Sequence, residues 1–199
     1  MRLSVVTFVV VMLTAGSAVA QERERGFVDL YYGMTKLFES DVSNWKFEDE
    51  RGVAGLRAGM WINDTNTMAL TLRTWYFQTD AKEQRSGPSD LAFLGVSLEL
   101  LMRWKLSDRW AIYGTLGPAM AVTTLDVAPA LRGIEDDARS VAPGASSSVG
   151  VEVRVLSSLR AFAEMQGSLV YPAFEFFDDR TVSPRLMNLY GLVGLRMPF

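Results

Sequence analysis

Charged side chains recur at even spacing inside otherwise apolar segments of this chain. Glu99 and Arg103 stand four residues apart in LAFLGVSLELLMRWKL, and Glu152 and Arg154 stand two apart in SVGVEVRVL. Because side chains alternate between the two faces of a β-strand, an even separation places both on one face. In an apolar setting such carboxylates and guanidinium groups must pair or be hydrated, since an unpaired buried charge is costly. The spacing therefore predicts ion-pair chemistry.

The chain lacks two residue types that many catalytic and metal sites use. The chain has no histidine and no cysteine, so the serine clusters at 146–148 and 157–158 lack a histidine base, and metal catalysis by histidine or cysteine ligands is excluded. We predict no catalytic residue, no metal site, no cofactor and no enzyme activity. The formal net charge is −3, with both signs mixed along the chain, which gives no indication of a nucleic-acid partner.

Acidic residues also cluster outside the apolar segments, at 48–50, 135–137 and 178–179. Carboxylate oxygens are the ligands that calcium and magnesium prefer. The clusters lack a regular ligand spacing, so solvated surface charge is the alternative interpretation. Apolar residues in the long connections could contact a partner surface or cover one end of the fold; they are Leu37, Phe38, Trp45, Phe174, Phe176 and Phe177.

The first 20 residues have the three parts of a secretory signal peptide. A basic start at Arg2 precedes the apolar run VVTFVVVML, and Ala18-Val19-Ala20 forms a cleavage site of small residues. An uncleaved anchor is the alternative, but the apolar run is shorter than the roughly 20 residues that a spanning helix needs. We predict a signal peptide over 1–20 and one exported domain over 21–199, held together without disulfides.

Alternation of apolar residues with a period of two recurs eight times and predicts an all-β fold. The connections between these segments alternate between long and short, with the short ones at 63–66, 106–109 and 157–158. Transmembrane barrels of the outer membrane have tight periplasmic turns, longer extracellular loops and an even strand count. The pattern predicts an eight-stranded antiparallel up-and-down transmembrane β-barrel. Its predicted strands are 26–34, 53–62, 67–77, 92–105, 110–122, 145–156, 159–171 and 187–199.

The polar face of the strands decides which side meets lipid. It carries small residues such as Gly95 and Ser97 with single charges between them, which suits the narrow lumen of an eight-stranded barrel. The predicted lumen charge network comprises Arg57, Arg73, Glu99, Arg103, Glu152, Arg154, Glu164 and Arg196, with Asp29 and Arg160 on the same face. Aromatic girdles at the two membrane interfaces are predicted at Tyr32, Tyr76, Trp104, Trp110 and Tyr171.

The sequence resembles the OmpA/OmpX-type outer-membrane β-barrel family. The resemblance lies in GFVDLYYGM (26–34), GVAGLRAGMWIND (52–64), WAIYGTLGP (110–118), SVGVEVRVLSSLRAFAEMQGSL (148–169) and YGLVGLRMPF (190–199). It implies a location in the cell outer membrane, contact with outer-membrane lipid and lipopolysaccharide, and insertion by the barrel-assembly machinery. In that family a final aromatic residue after alternating apolar residues is the assembly signal, although Pro198 departs from the commonest pattern. The resemblance assigns this signal to Val193, Leu195, Met197 and Phe199.

Three functions remain open at this point. The first is a structural or surface-interaction barrel, with envelope integrity or adhesion served by long extracellular loops and with a lumen plugged by the charge network. The second is a narrow channel for small or hydrophobic solutes, in which pairs such as Glu99 or Glu164 with Arg196 or Arg57 exchange partners to admit water. The third is a soluble periplasmic lipid-binding barrel with an apolar interior. Plugged members of the resembled family favour the first function.

Overall fold

The computed structural model describes residues 24–40, 50–80, 88–127, 138–175, 181–182 and 185–199. The predicted signal peptide lies outside these residues, as do the loop residues Trp45, Phe176 and Phe177. Within the described residues no helix is long and apolar enough to cross a membrane. The strands are β1 (Gly26–Ser40), β2 (Glu50–Trp61), β3 (Met68–Asp80), β4 (Pro88–Lys105), β5 (Trp110–Val127), β6 (Ala138–Leu156), β7 (Leu159–Val170), β8 (Phe174–Glu175), β9 (Thr181–Val182) and β10 (Arg185–Pro198).

Eight of these strands form a closed antiparallel barrel in the order β1-β10-β7-β6-β5-β4-β3-β2. The barrel closes where β10 pairs with β1, for example Arg196 with Asp29 and Val193 with Tyr32. Closure gives every strand two neighbours and leaves no open sheet edge, as a bilayer requires. The predicted eight-stranded barrel is therefore confirmed. The short β8 and β9 pair with each other in a separate two-stranded sheet.

Several strands run further toward the long connections than the sequence predicted. β1 continues to Ser40 rather than ending at 34, and β6 begins at Ala138 rather than at 145. The β5–β6 ladder starts at Leu125 and Ala138 and accommodates Pro143 and Gly144. The hydropathy pattern fades in this part of the sheet, while hydrogen bonding between the strands continues.

Side-chain chemistry fixes the short turns at the opposite end. The Asn63 side-chain oxygen accepts hydrogen bonds from the backbone N–H groups of Thr67 at 3.0 Å and Met68 at 3.1 Å. Asn66 adopts a φ of 52°, in the left-handed region that asparagine tolerates. In the next short turn, the Ser107 hydroxyl accepts from the backbone N–H of Trp110 at 3.1 Å. The predicted turn residues therefore form these turns.

The two faces of the sheet divide as the alternation predicted. Val149 is 62% exposed on the outer surface, whereas Glu152 is 1% exposed inside. Arg57, Arg73 and Arg196 are among the largest fully buried side chains. A barrel with an aliphatic exterior and a charged interior is the reverse of a soluble lipid carrier. The soluble lipid-binding interpretation is therefore wrong.

Four of the predicted girdle residues lie in two rows on the outer surface, and the fifth, Tyr171, is exposed directly after the end of β7. Trp104 and Trp110 flank the short turn after β4. Tyr32 and Tyr76 both pair with Ala54, from β1 and β3, and therefore form the other row. Tyr76 pairs with Leu94, ten residues before Trp104 on β4. At about 3.3 Å per residue and a tilt near 40°, the two rows lie about 25 Å apart along the barrel axis. That separation matches the apolar band of outer-membrane barrels, about 25 Å tall.

Candidate functional site in the barrel lumen

An ion-paired cluster of Asp29, Arg57 and Arg196 occupies the lumen where the barrel closes. Arg196 donates from Nε to Asp29 Oδ1 at 2.8 Å and from Nη2 to Asp29 Oδ2 at 2.9 Å, a bidentate pair. Arg57 Nε donates to the same Oδ2 at 2.6 Å. All three residues are at most 1% exposed. One carboxylate on β1 thus joins β2 to β10.

A second part of the network crosses the lumen from β2 and β3 to β7. Glu164 Oε2 accepts from Arg57 Nη1 at 2.9 Å and from the Tyr113 hydroxyl at 2.7 Å. Its other oxygen lies 2.6 Å from Arg73 Nη2. Arg73 also faces Glu99, with Nε 3.4 Å from Oε2. The network therefore braces opposite walls of the barrel as well as adjacent strands.

Glu152 carries the network toward the short-turn end. Its Oε2 accepts from Arg196 Nη1 at 2.6 Å, and its Oε1 pairs with Arg103 Nη2 and lies 3.9 Å from Arg160 Nε. Arg160 in turn donates to Glu24 Oε1 at 2.6 Å. Through these contacts the charges alternate in sign from Glu24 to Glu99. Such mutual pairing offsets the desolvation that each charge undergoes on burial.

Aromatic rings stack on the guanidinium groups. The guanidinium carbon of Arg196 lies 4.1 Å from the ring centre of Phe27 and 5.0 Å from that of Tyr113. Arg57 lies 5.2 Å from the Tyr113 ring, and Arg73 lies 5.6 Å from that of Tyr31. Cation–π contacts of this kind strengthen when water is excluded. The lumen is filled by rings as well as by ion pairs.

Inward glycines make room for these rings. Gly95 pairs directly with Trp75, and a β-carbon at Gly95 would overlap the indole ring. The same arrangement, with a glycine opposite an aromatic residue on the adjacent strand, recurs in the pairs Gly55–Tyr31, Gly59–Phe27, Gly150–Tyr113 and Gly194–Phe162. Covering of a strand glycine by a neighbouring ring stabilises sheets and fixes their register. The small residues on the polar face thus serve ring packing.

A mainly aromatic layer lies on the long-connection side of the charges. The Trp75 indole N–H donates to the Tyr190 hydroxyl at 2.9 Å, and that hydroxyl lies 3.1 Å from Ser168 Oγ. Phe77 stacks on Phe93 with ring centres 4.9 Å apart. Sequence reasoning missed this layer, although its members share the parity of the inward charges. An aromatic residue at an inward-facing position of a strand was the signal that could have predicted this layer.

The structure buries most of the predicted network residues in the lumen but leaves one of them exposed. Arg57, Arg73, Glu99, Arg103, Glu152, Glu164 and Arg196 are buried in the lumen, together with Asp29 and Arg160. Arg154 was predicted among them wrongly: it is exposed, because it lies at the short-turn end of β6 where the β6–β7 register shifts. The pair Glu164–Arg57 forms as expected, but Glu99 pairs with Arg73 rather than with Arg57 or Arg196.

The remaining predicted residues fall outside the lumen network. Leu37 and Phe174 are buried at the long-connection end rather than presented to a partner. The acidic clusters at 135–137 and 178–179 lie outside the described residues, and so does most of the cluster at 48–50. Among the residues that the structure describes, no group of three or more acidic side chains could hold a metal ion.

The closed strands, the apolar exterior and the filled, charged lumen define a small transmembrane β-barrel of the outer-membrane type. No protein-family model and no curated protein sequence matches the chain. Its fold is similar to that of Neisserial surface protein A, with a TM-score of 0.58 and 15% identity over 87% of this chain and 97% of that chain.

Two further solved structures share the fold. One is Ail, the attachment invasion locus protein of Yersinia pestis, with a TM-score of 0.52 and 13% identity over 88% of this chain and 100% of that chain. The other is the N-terminal β-barrel domain of Pseudomonas aeruginosa OprF, with a TM-score of 0.52 and 12% identity over 88% of this chain and 99% of that chain. These likenesses confirm the predicted OmpA/OmpX-type architecture at the level of fold. The protein is an outer-membrane β-barrel by its fold and by its apolar exterior.

Proposed function

We propose that this protein is a structural or surface-interaction barrel of the outer membrane, without enzyme activity, whose lumen does not conduct solutes. The observation that carries this proposal is the unbroken chain of ion pairs from Glu24 to Glu99, with the Trp75–Tyr190 layer beyond it. An eight-stranded barrel encloses a space that side chains just fill. Here rings and guanidinium groups occupy that space.

The role of such a barrel lies at its surfaces. Its apolar band contacts outer-membrane lipid, and its long connections face the side where we expect lipopolysaccharide and extracellular partners. Two of the proteins with a similar fold are a surface protein and an attachment invasion locus protein. Interaction through the extracellular loops on a closed barrel is consistent with both.

Planar-bilayer recording tests the closed lumen. We expect the purified barrel to give no stable single-channel steps, because the lumen charges are paired and the rings exclude water. Insertion is verified by heat-modifiable migration on gels, and a general porin recorded in parallel serves as the positive control. Stable steps whose size changes in Glu99→Ala or Arg196→Ala would overturn the plug and favour the narrow channel.

We also propose that the barrel-assembly machinery recognises the outward row of β10. Val193, Leu195 and Phe199 are exposed and Met197 is half-buried on this row. Phe199→Ala is expected to reduce insertion in cells several-fold while leaving folding in detergent nearly unchanged, because the backbone bonds that join Phe199 to Gly26 do not require the ring. Outer-membrane fractionation measures the first effect and gel migration the second. Met187→Ala, on the same face of β10 but further from Phe199, is the matched control, and equal insertion of both variants would contradict the proposal.

A further inference from the structure

A basic recess of about 330 Å³ lies at the short-turn end of the lumen. Its lining includes Arg103 of the lumen network and the exposed Lys105, Arg109 and Arg154. Lys105 lies two residues after Arg103 on β4 and therefore on the same, inward face. Arg154 lies two residues after the buried Glu152 on β6, so it also belongs to the inward face. Because short turns face the periplasm in outer-membrane barrels, the basic recess faces the periplasm.

Three arginines stand side by side on neighbouring strands at this end of the lumen. Arg154 on β6 pairs directly with Arg160 on β7, and its backbone N–H donates to the carbonyl of Arg109 at 2.8 Å. Like charges at directly opposite positions repel one another. Arg160 is neutralised by Glu24 at 2.6 Å, whereas Arg109 and Arg154 form no ion pair with any residue that the structure describes. With Asp108 as the carboxylate in its lining, the basic recess has an excess of positive charge.

Arg103 and Lys105 add unused hydrogen-bond donors to this excess of charge. Arg103 is 6% exposed and pairs through Nη2 with Glu152, while its buried Nε has no hydrogen-bond partner among the described residues. A buried donor without a partner carries a desolvation cost that a bound acceptor would remove. The Lys105 Nζ donates to the Thr65 carbonyl at 3.2 Å, and an ammonium group has three donors. The basic recess therefore offers donors both at its rim and at its buried end.

We propose that the basic recess binds a soluble diphosphate compound of the periplasm. One phosphate group lies between the guanidinium groups of Arg109 and Arg154, whose forked N–H donors match phosphate oxygens. The second phosphate group lies between Lys105 and Arg103 Nε. These two residues stand roughly 6–7 Å apart along β4, since a strand rises about 3.3 Å per residue. The cations therefore extend over more than one phosphate group, which favours a diphosphate over a single phosphate.

The ligand is soluble because the basic recess lies on the inner side of the barrel wall. Outward residues of the same strands, such as Trp104 on β4 and Val155 on β6, face the lipid on the other side. Behind the recess, the ion pair of Arg103 with Glu152 joins the closed lumen network. Binding therefore needs no open lumen, and the recess has the size for a small anion rather than for a folded partner.

Isothermal titration calorimetry of the barrel in nonionic detergent tests the site, with sodium pyrophosphate as the probe at low ionic strength, where charges are least screened. We expect one pyrophosphate to bind per barrel. The double variant Arg109→Gln/Arg154→Gln is expected to bind at least about tenfold more weakly, since it loses hydrogen bonds between charged groups. Asp108→Asn is expected to bind about twofold to fivefold more tightly, because it removes a carboxylate that repels the probe at the protein surface.

Arg139→Gln/Arg185→Gln is the matched control, because it removes the same charge from two exposed arginines at the long-connection end. It is expected to bind pyrophosphate like the wild type, and gel migration first establishes that each variant is folded. No binding by the wild type, or equal weakening in both double variants, would overturn the site. Equal affinity for sodium sulfate would show a site for any anion and overturn the diphosphate assignment. Displacement by micellar phosphatidylglycerol but not by sodium phosphate would identify a lipid headgroup and overturn the soluble ligand.

Discussion

Replacing Arg196 by methionine is expected to lower the free energy of unfolding of the barrel by about 3–5 kcal/mol, the usual effect of removing one partner of a buried ion pair. Arg196 is fully buried and bonds to both Asp29 oxygens and to Glu152. The variant leaves these carboxylates with fewer cations in a lumen that offers little water. Urea unfolding in detergent micelles, followed by tryptophan fluorescence, measures the change.

Arg139→Met is the matched control for this experiment, because Arg139 is an exposed arginine on β6. We expect its effect to stay within about 0.5 kcal/mol, as for ordinary surface substitutions. Adding Asp29→Asn to Arg196→Met should recover part of the lost stability, since it removes a carboxylate whose bidentate partner has gone. Equal unfolding midpoints for Arg196→Met and Arg139→Met would mean that the lumen charges are hydrated rather than paired.

Gly95→Ala is expected to destabilise the barrel by about 1–3 kcal/mol through overpacking. The added methyl would overlap the Trp75 ring, whose indole N–H is bonded to Tyr190. The ring would have to move and give up that hydrogen bond. The same urea titration reports the loss of stability, and a shifted tryptophan emission spectrum of the folded state reports the displaced ring.

Gly191→Ala provides the paired comparison, since Gly191 lies on the outer face of β10 with no atom within 4 Å of its β-carbon position. The same chemical change is then made on both faces of the barrel. We expect Gly191→Ala to be neutral or slightly stabilising, because alanine restricts the unfolded chain more than glycine does. If Gly191→Ala proved as destabilising as Gly95→Ala, strand flexibility rather than ring packing would explain both results.

The face of each side chain could be predicted from the sequence, because the period of two is a property of any strand. Glu99, Glu152 and Arg196 lie inside as predicted. Their partners could not be predicted, since pairing across a barrel depends on register and strand tilt. Arg73 was not expected as a partner, yet it pairs with Glu99 and meets Glu164 from the far side of the lumen, contacts that no local spacing encodes.

The alternation of the sequence also could not predict how far along the barrel axis a side chain lies. Arg154 has inward parity, but it lies so near the end of β6 that its side chain is exposed. The glycine–aromatic pairs could not be predicted either, because alternation does not give the register between strands. Gly95 and Trp75 are both visible as inward residues, yet only the β3–β4 register brings them face to face.

The charge alternation from Glu24 to Glu99 also bears on how the barrel enters the bilayer. Within the lumen network, the β3–β4 hairpin contributes Arg73, Glu99 and Arg103, a surplus of one positive charge, and the β6–β7 hairpin contributes Glu152, Arg160 and Glu164, a surplus of one negative charge. Arg196 then joins Asp29 on β1 to Glu152 on β6. A partly assembled sheet would carry bare charge into hydrocarbon, so electroneutrality arrives only when the last strand docks, and insertion should be an all-or-none event.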